Sequence, residues 1–472
     1  MKNLKTINAL LLIISTFAMS SVANAASLLE VYQQALQSDP QIHEAEARRL
    51  AALEAEPQAR GVLLPQVNLN GGWTKIDTSG KSFSLGLNQT VQVTQETDRQ
   101  GFTAELRQTL FRWDQIVNLK RADKIVAKAE AVREAAQQDL IIRVAQRYFD
   151  VLAAEDRLTS IHADRTAIAR QLEQAKQRFE VGLIAITDVQ ESQARYDQSV
   201  ANEIGAKRSL ATSRNFLREI TGEYISSLSA PKEDFPLQLP DNSERDWVDM
   251  SLSQNLSLVA SRMDEKLARD EISFRKNGHY PTLDLVARAD KQINDGDGTN
   301  DGQPSIIDSD FDTNTISIQF SIPIFAGGGT SSRVREAVYL HRASREQLQR
   351  VTRETERQSR DAYLGVLAEQ SRVQALAQAV ASSRTALEAT EAGFDVGTRT
   401  IVDVLNSQFS LYVAITNYYQ SRYDYILNVL RLKQAAGMLQ VQDLEEIDQW
   451  LTDRKPPEEV IAEEEAAKAS GS

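Results

Sequence analysis

Two stretches of this chain carry the same pattern of glycine and charge. Arg178-Phe179-Glu180-Val181-Gly182-Leu183-Ile184-Ala185-Ile186-Thr187-Asp188-Val189 returns as Gly393-Phe394-Asp395-Val396-Gly397-Thr398-Arg399-Thr400-Ile401-Val402-Asp403-Val404, at an offset of about 215 residues. Each stretch places an aspartate, Asp188 or Asp403, shortly after a glycine, Gly182 or Gly397. A carboxylate there can pair with a cation or, if repeated around an axis, form a ring that favours cations. Other chemistry is sparse. His43, His162, His279 and His341 are scattered without partners at catalytic spacing and read as solvated or hydrogen-bonded side chains. The chain has no cysteine, hence no thiolate nucleophile or ligand. No phosphate-binding loop or nucleophile elbow is present. These features predict a non-enzyme without cofactor or metal, whose chemistry is electrostatic and steric.

The same offset holds elsewhere. Leu64-Pro65-Gln66-Val67-Asn68-Leu69 matches Tyr280-Pro281-Thr282-Leu283-Asp284-Leu285, and Tyr148-Phe149-Asp150-Val151-Leu152 matches Tyr363-Leu364-Gly365-Val366-Leu367. An internal two-fold repeat is therefore expected. The chain divides into a signal peptide at 1–25, a first structural repeat at 26–240, a second at 241–437, and a C-terminal segment at 438–472. Lys2 and Lys5, the apolar run Ile7–Phe17 and the small-x-small site Ala23-Asn24-Ala25 mark the signal peptide. The last segment, rich in Glu and Ala after Pro456, reads as an acidic disordered tail.

The net charge of −13 disfavours nucleic acid and anionic head groups as partners. An exported chain without disulfides must be held by packing. No stretch after the signal is apolar enough for a membrane helix, which leaves a β-barrel, an interface or no membrane contact.

The elements that position the two motifs are long helices. Proline is absent between Pro65 and Pro231 and between Pro323 and Pro456, and glycine is absent from Trp113 to Glu180. Helix interiors exclude both residues. Ile141, Val144, Tyr148, Val151, Leu158 and Ile161 step by threes and fours, as in a coiled-coil seam. Helices are predicted over about Gln115–Phe179 and Ser331–Phe394, each roughly 100 Å long at 1.5 Å per residue. Each reverses at its Val-Gly tip and returns, over about Thr187–Ile220 and Ile401–Ala436, with Thr187 and Thr400 as N-caps.

Four short segments alternate apolar with polar residues: Val67, Leu69 and Trp73; Phe102, Ala104 and Leu106; Leu283, Leu285 and Ala287; Ile316, Ile318, Phe320 and Ile322. Each approaches the ~9–11 residues of a tilted transmembrane strand, although a half-buried soluble sheet shows the same alternation. Residues 76–98 and 290–312, rich in Ser, Thr, Gln, Asp and Gly, read as polar loops between them. Asp297-Gly298-Thr299-Asn300-Asp301-Gly302, with Asp308, partly imitates a calcium loop, and a solvated acidic loop is the other reading. Four strands cannot close a barrel, so strands in lipid must be pooled among several copies. Composition requires more than one copy and does not choose three.

Val31-Tyr32-Gln33-Gln34-Ala35, Leu63-Leu64-Pro65-Gln66, Val181 to Gln190 and Val396 to Leu405 carry a likeness to a known family. Over about Leu28 to Leu444 the chain resembles the TolC family of trimeric outer-membrane efflux and secretion channels. The resemblance implies a mostly α homotrimer with a small β portion. Four transmembrane strands per protomer would form a 12-strand β-barrel, and the long antiparallel coiled-coil hairpins a 12-helix periplasmic tunnel that tapers shut. It implies a passive exit duct of tripartite efflux pumps or type I secretion systems, surrounded by outer-membrane lipid. A periplasmic adaptor and an inner-membrane transporter of RND, ABC or MFS type would dock at the closed end.

By the same resemblance Asp188 and Arg399 match a latch pair, and Phe394 stands where the family has a tyrosine, so one latch bond lacks its hydroxyl. Gln171 and Glu391 match a second tie above the tips. Asp403 matches a carboxylate ring at the constricted entrance, and a second ring position is Asn406 here, without charge. Gly182, Leu183, Gly397 and Thr398 match adaptor-contacting tips, and Gly182 and Gly397 equally suit plain helix reversals. The alternative, a structural periplasmic coiled-coil tether, accounts for the helices and leaves the alternating strands unexplained.

Overall fold

The computed structural model describes residues 25–84, 88–232, 234–300 and 303–470. The predicted signal peptide lies outside them apart from Ala25, as do Asp301 and Gly302 of the calcium-like stretch. In chain order the elements are α1 (Leu28–Ser38), α2 (Pro40–Leu53), α3 (Ala55–Gly61), β1 (Gln66–Ser84), β2 (Gln89–Phe111), α4 (Trp113–Glu180), α5 (Ile186–Thr221) and β3 (Ala230–Pro231). There follow α6 (Glu244–Gln254), α7 (Leu256–Arg275), β4 (Thr282–Asn300), β5 (Gln303–Ser321), α8 (Gly329–Asp395), α9 (Ile401–Ala435), α10 (Val441–Asp448), β6 (Leu451–Thr452) and α11 (Pro457–Ser470). Helices α4 and α8 have 68 and 67 residues, the uninterrupted lengths that the missing prolines permit. No described helix is long and apolar enough to cross a membrane.

The described residues form two compact units. One comprises Glu46–Val132 and Ser257–Val351. It holds a four-stranded antiparallel sheet in the order β1-β2-β4-β5. The register aligns Val67 with Leu106, Leu106 with Ala287 and Ala287 with Ile316, so the predicted apolar positions share one face. That face is uncovered in the single chain: Leu69 is 75% and Ile316 81% exposed. The opposite face is polar. Thr103 donates to Asp290 at 2.7 Å, Arg288 bonds Glu105 at 2.5 Å, and Arg99 donates to Asn294 at 3.1 Å.

The described parts of 76–98 and 290–312 are almost entirely strand, where the composition predicts loops. Pairing runs on through them to Ser84↔Gln89 and Asn300↔Gln303. An antiparallel ladder uses only backbone groups, so polar side chains do not end it. The strands have 19 to 23 residues, about twice what hydrocarbon requires. The calcium-like stretch is likewise part of a ladder up to Asn300, with Asp297 opposite Ile306 and Asp295 opposite Asp308.

The other unit comprises the described parts of Met1–Ala45, Arg133–Leu256 and Thr352–Ser472. Its core unites Tyr32, Leu140, Tyr148, Leu152, Leu210 and Ile426. Ile141, Val144, Tyr148, Val151 and Leu158 of the predicted seam are all buried, and Ile161 packs against them. The buried Tyr148 hydroxyl donates to the Ser229 carbonyl at 2.6 Å, as a hydroxyl in such a core must.

The tail expected to be disordered is instead α11. Glu458 pairs with Arg214 at 2.6 Å, Arg214 also pairs with the buried Glu155 at 3.0 Å, and Ile461 is buried in the core. Composition argued for disorder, but these anchors hold the first turns in place. Asp156 beside Glu155 accepts from the Tyr423 hydroxyl and pairs with Arg454, so two buried carboxylates tie the C-terminal segment to α4.

Burial pushes the Glu155 carboxyl up from its ordinary 4.5 to about 7, against the pull of Arg214. In this range Glu155 binds more proton in the folded chain than in the unfolded one, so its contribution to stability falls as pH rises from about 4.5 to about 7. Glu155→Gln should flatten this limb. In detergent melts at pH 5 and pH 8, the difference in Tm between the two pH values is expected to be smaller in the variant than in the parent.

Candidate functional site

The two hairpin tips are built alike. At the first, the Gly182 amide donates to the Phe179 carbonyl and the Leu183 amide to the Arg178 carbonyl, both at 2.9 Å. At the second, the Gly397 amide donates to Phe394 at 3.0 Å and the Thr398 amide to Gly393 at 2.8 Å. This paired closure satisfies the last carbonyls of each helix and needs a left-handed residue. Gly182 and Gly397 supply it, at φ 75° and 80°. The reversals leave apolar side chains in the open, with Leu183 73% and Val396 76% exposed. Thr398 turns its hydroxyl back to the Gly393 carbonyl at 3.0 Å.

The return helices begin differently. Thr400 caps α9: its amide and its hydroxyl each donate to Asp403 at 2.9 Å, and its hydroxyl accepts from the Asp403 amide at 3.3 Å. These bonds from Thr400, backbone first, hold the Asp403 carboxyl below the usual aspartate range, with help from the Arg399 charge. The N-cap of α5 is Ala185, which has no side chain to make such a box, and the predicted cap Thr187 lies inside the first turn. The repeat itself aligns Ala185 with Thr400 and Asp188 with Asp403. Asp188 therefore keeps the position of Asp403 without its capping partner.

Among the described residues of the single chain, no ion pair joins Asp188 to Arg399, and Gln171 does not meet Glu391. The Gln171 amide donates instead to Gln408 of α9 at 3.1 Å. Gln408 is 2% exposed and itself donates to the Asp164 carboxylate at 3.0 Å and the Asp164 carbonyl at 3.2 Å. Asn406 accepts from Arg195 of α5 at 3.1 Å. Phe394 has no hydroxyl, but its ring lies 4.6 Å below the Arg178 guanidinium, which also pairs with Asp395 at 3.1 Å. The end of α4 is thereby held to the end of α8.

Arg178, Asp395, Arg195, Gln408 and Asp164 were not singled out from sequence. Arg178 and Asp395 occupy the repeated motif itself, and that placement was the available signal. Gln408 and Asp164 gave none, because their partners are on helices distant in sequence. Three of the four histidines have ordinary partners: His341 meets Glu265 at 2.7 Å, His162 faces Glu203 at 3.5 Å, and His43 reaches the Gln37 carbonyl at 3.0 Å.

The chain matches a family model described as "Outer membrane efflux protein" twice, over residues 31–223 and 247–438. It is 39% identical to "Outer membrane protein TolC" of Vibrio cholerae, covering 92% of this chain and 95% of that protein. A more distant relative, "Alkaline protease secretion protein AprF" of Pseudomonas aeruginosa, is 28% identical over 90% of this chain and 87% of that one. Among solved structures, the outer membrane protein VceC of Vibrio cholerae has the same fold, with a TM-score of 0.71 at 20% identity, covering 87% of this chain and 96% of that one.

The cap yields a test. Loss of such a threonine cap costs about 1 kcal/mol of helix stability. Thr400→Ala also removes the hydroxyl that bonds Asp403, so the carboxyl should titrate at higher pH than in the parent. If Asp403 faces a pore, cation selectivity measured as pH is lowered should fade at a higher pH in the variant.

Proposed function

The chain belongs to the outer membrane efflux protein family, and from that premise we propose that three copies form a passive exit duct with its gate at the paired hairpin tips. It is an outer-membrane channel for efflux and type I secretion that extends into the periplasm. Three copies of the β1-β2-β4-β5 sheet supply twelve strands, an even count suited to a bacterial barrel. The twelve long helices of three copies surround the tunnel.

One observation carries this reading. The sheet has two edge strands, β1 and β5, and on one face an apolar row, from Val67 through Leu106 and Ala287 to Ile316, that is open in the single chain. The apolar row is suited to lipid and not to water, and in lipid the two edges stay unpaired unless other copies complete the wall. The tether alternative gives no use for such a face.

The latch pair fits between copies. Asp188 is half-buried, Arg399 is exposed, and neither finds its counterpart within its own chain. Asp188 lacks a capping threonine, which leaves its carboxylate available to Arg399 of a neighbouring copy. Gln171 retains a second amide proton for Glu391 across the same boundary. Asp403, repeated three times, makes one carboxylate ring, while Asn406 leaves the next position uncharged and weakens cation binding there. The tips with Leu183 and Thr398 offer apolar and polar contacts to a periplasmic adaptor, which with an inner-membrane RND, ABC or MFS transporter would open the duct. The family is one of transport channels, and we assign this chain no catalytic activity and no cofactor.

Planar-bilayer recording tests the gate. The parent should give small, steady single-channel steps, and Arg399→Ser should raise the conductance severalfold. A parent protein that gives no steps would remove the channel reading, and an unchanged conductance in the variant would remove the latch.

A further inference from the structure

Three consecutive residues of α9 each bond a different helix. Asn406 accepts from Arg195 of α5 at 3.1 Å. Ser407 donates to Thr390 of α8 at 3.2 Å. Gln408 donates to Asp164 of α4 at 3.0 Å and accepts from Gln171 of α4 at 3.1 Å. Successive helical residues point about 100° apart, so the three side chains leave α9 in three directions. A helix gripped in this way resists rotation about its own axis, because any turn breaks at least one bond.

We propose that Gln408 is the positioning residue that keeps the second hairpin seated on the first, and that opening of the channel requires its bonds to break. This rests on the channel reading above. Gln408 joins α9 of the second hairpin to α4 of the first, so it spans the two parts that must separate in an iris-like movement. Its surroundings distinguish it from the tip contacts. Arg178 is one-third and Asp395 about two-thirds exposed, and solvent can replace their bond. Gln408 is 2% exposed, and water cannot reach its amide until the helices part. Asp164 and Gln171 stand seven residues apart, two turns along one face of α4, and one glutamine side chain bridges them. Burial raises the Asp164 carboxyl while the Gln408 amide lowers it, consistent with close contact between the two groups.

The exchange of donor and acceptor provides the test. Gln408→Glu loses the donor and sets a second carboxylate against Asp164. Asp164→Asn together with Gln408→Glu restores a donor facing an acceptor, and the glutamate can still accept from Gln171. In planar bilayers Gln408→Glu should raise single-channel conductance severalfold. The double variant should return it close to the parent value, a rescue that a packing role would not give. Each variant is first shown to migrate as an intact trimer in unheated gels, and Gln408→Leu replaces Gln408→Glu if the latter fails to assemble. A parent-like conductance in Gln408→Glu or Gln408→Leu, alongside raised conductance in Arg399→Ser, would overturn the role of Gln408 and leave the channel standing. Silence of the parent protein and of every variant would instead sink the channel itself.

Discussion

A backbone amide or carbonyl in hydrocarbon must find a partner in the protein, because no water is present to serve. This constraint governs the chain. Its sheet satisfies the inner strands β2 and β4 on both sides and leaves β1 and β5 each with one neighbour. The apolar row from Val67 through Leu106 and Ala287 to Ile316 prevents the sheet from being at ease in water. Self-association is therefore a condition of the strands existing in a membrane at all. The polar face, with Thr103 bonded to Asp290 and Glu105 to Arg288, is suited to an aqueous interior.

The helices answer a different demand. An uninterrupted helix of 68 residues has far more surface than its own propensity can stabilise, and it persists through packing along its seam. Tyr148, Leu152 and Leu158 provide that packing in one unit. Toward the tips the core shrinks to small apolar clusters, Ile168 with Ile401 and Leu405 and Leu172 with Ala175 and Val189, and the polar contacts of Gln408, Asp164 and Gln171 stand among them. Polar contacts of this kind specify one arrangement of the helices, and small clusters leave less apolar surface to expose where helices must part. The two halves of the duplication have diverged at this place. Thr400 locks Asp403 in a capping box, while Ala185 leaves Asp188 available.

Much of this was legible in the sequence. Period-two alternation marked the apolar rows of the sheet, and the proline-free tracts marked the helices within a few residues. The full strand lengths were hidden, because Ser, Thr and Asp in 76–98 resemble loop residues while their backbones continue the ladder. The N-cap at Ala185 followed from the repeat offset, yet the hydroxyl of Thr187 suggested itself because threonine is the commoner cap. The helical tail was concealed by its composition, since Glu458 and Ile461 gain order only from Arg214 and the core. The candidate gate was legible as positions and not as contacts. Asp188, Arg399, Asp403 and the tip glycines stand in the repeated motif, whereas the partners of Gln171 and Phe394 depend on which helix faces face each other.

The demand that edge strands be completed by other copies is open to one direct measurement. The chain contains no cysteine, so introduced pairs are unambiguous. A panel would place one cysteine on β1 between Gln66 and Trp73 and one on β5 between Phe311 and Phe320, and oxidise intact outer membranes. Completion of the wall by neighbours predicts that some pairs link three chains into a covalent ring, while either single cysteine gives no ring. If no pair in the panel yields links between chains, and the mature protein stays monomeric and free of the membrane, the account is contradicted.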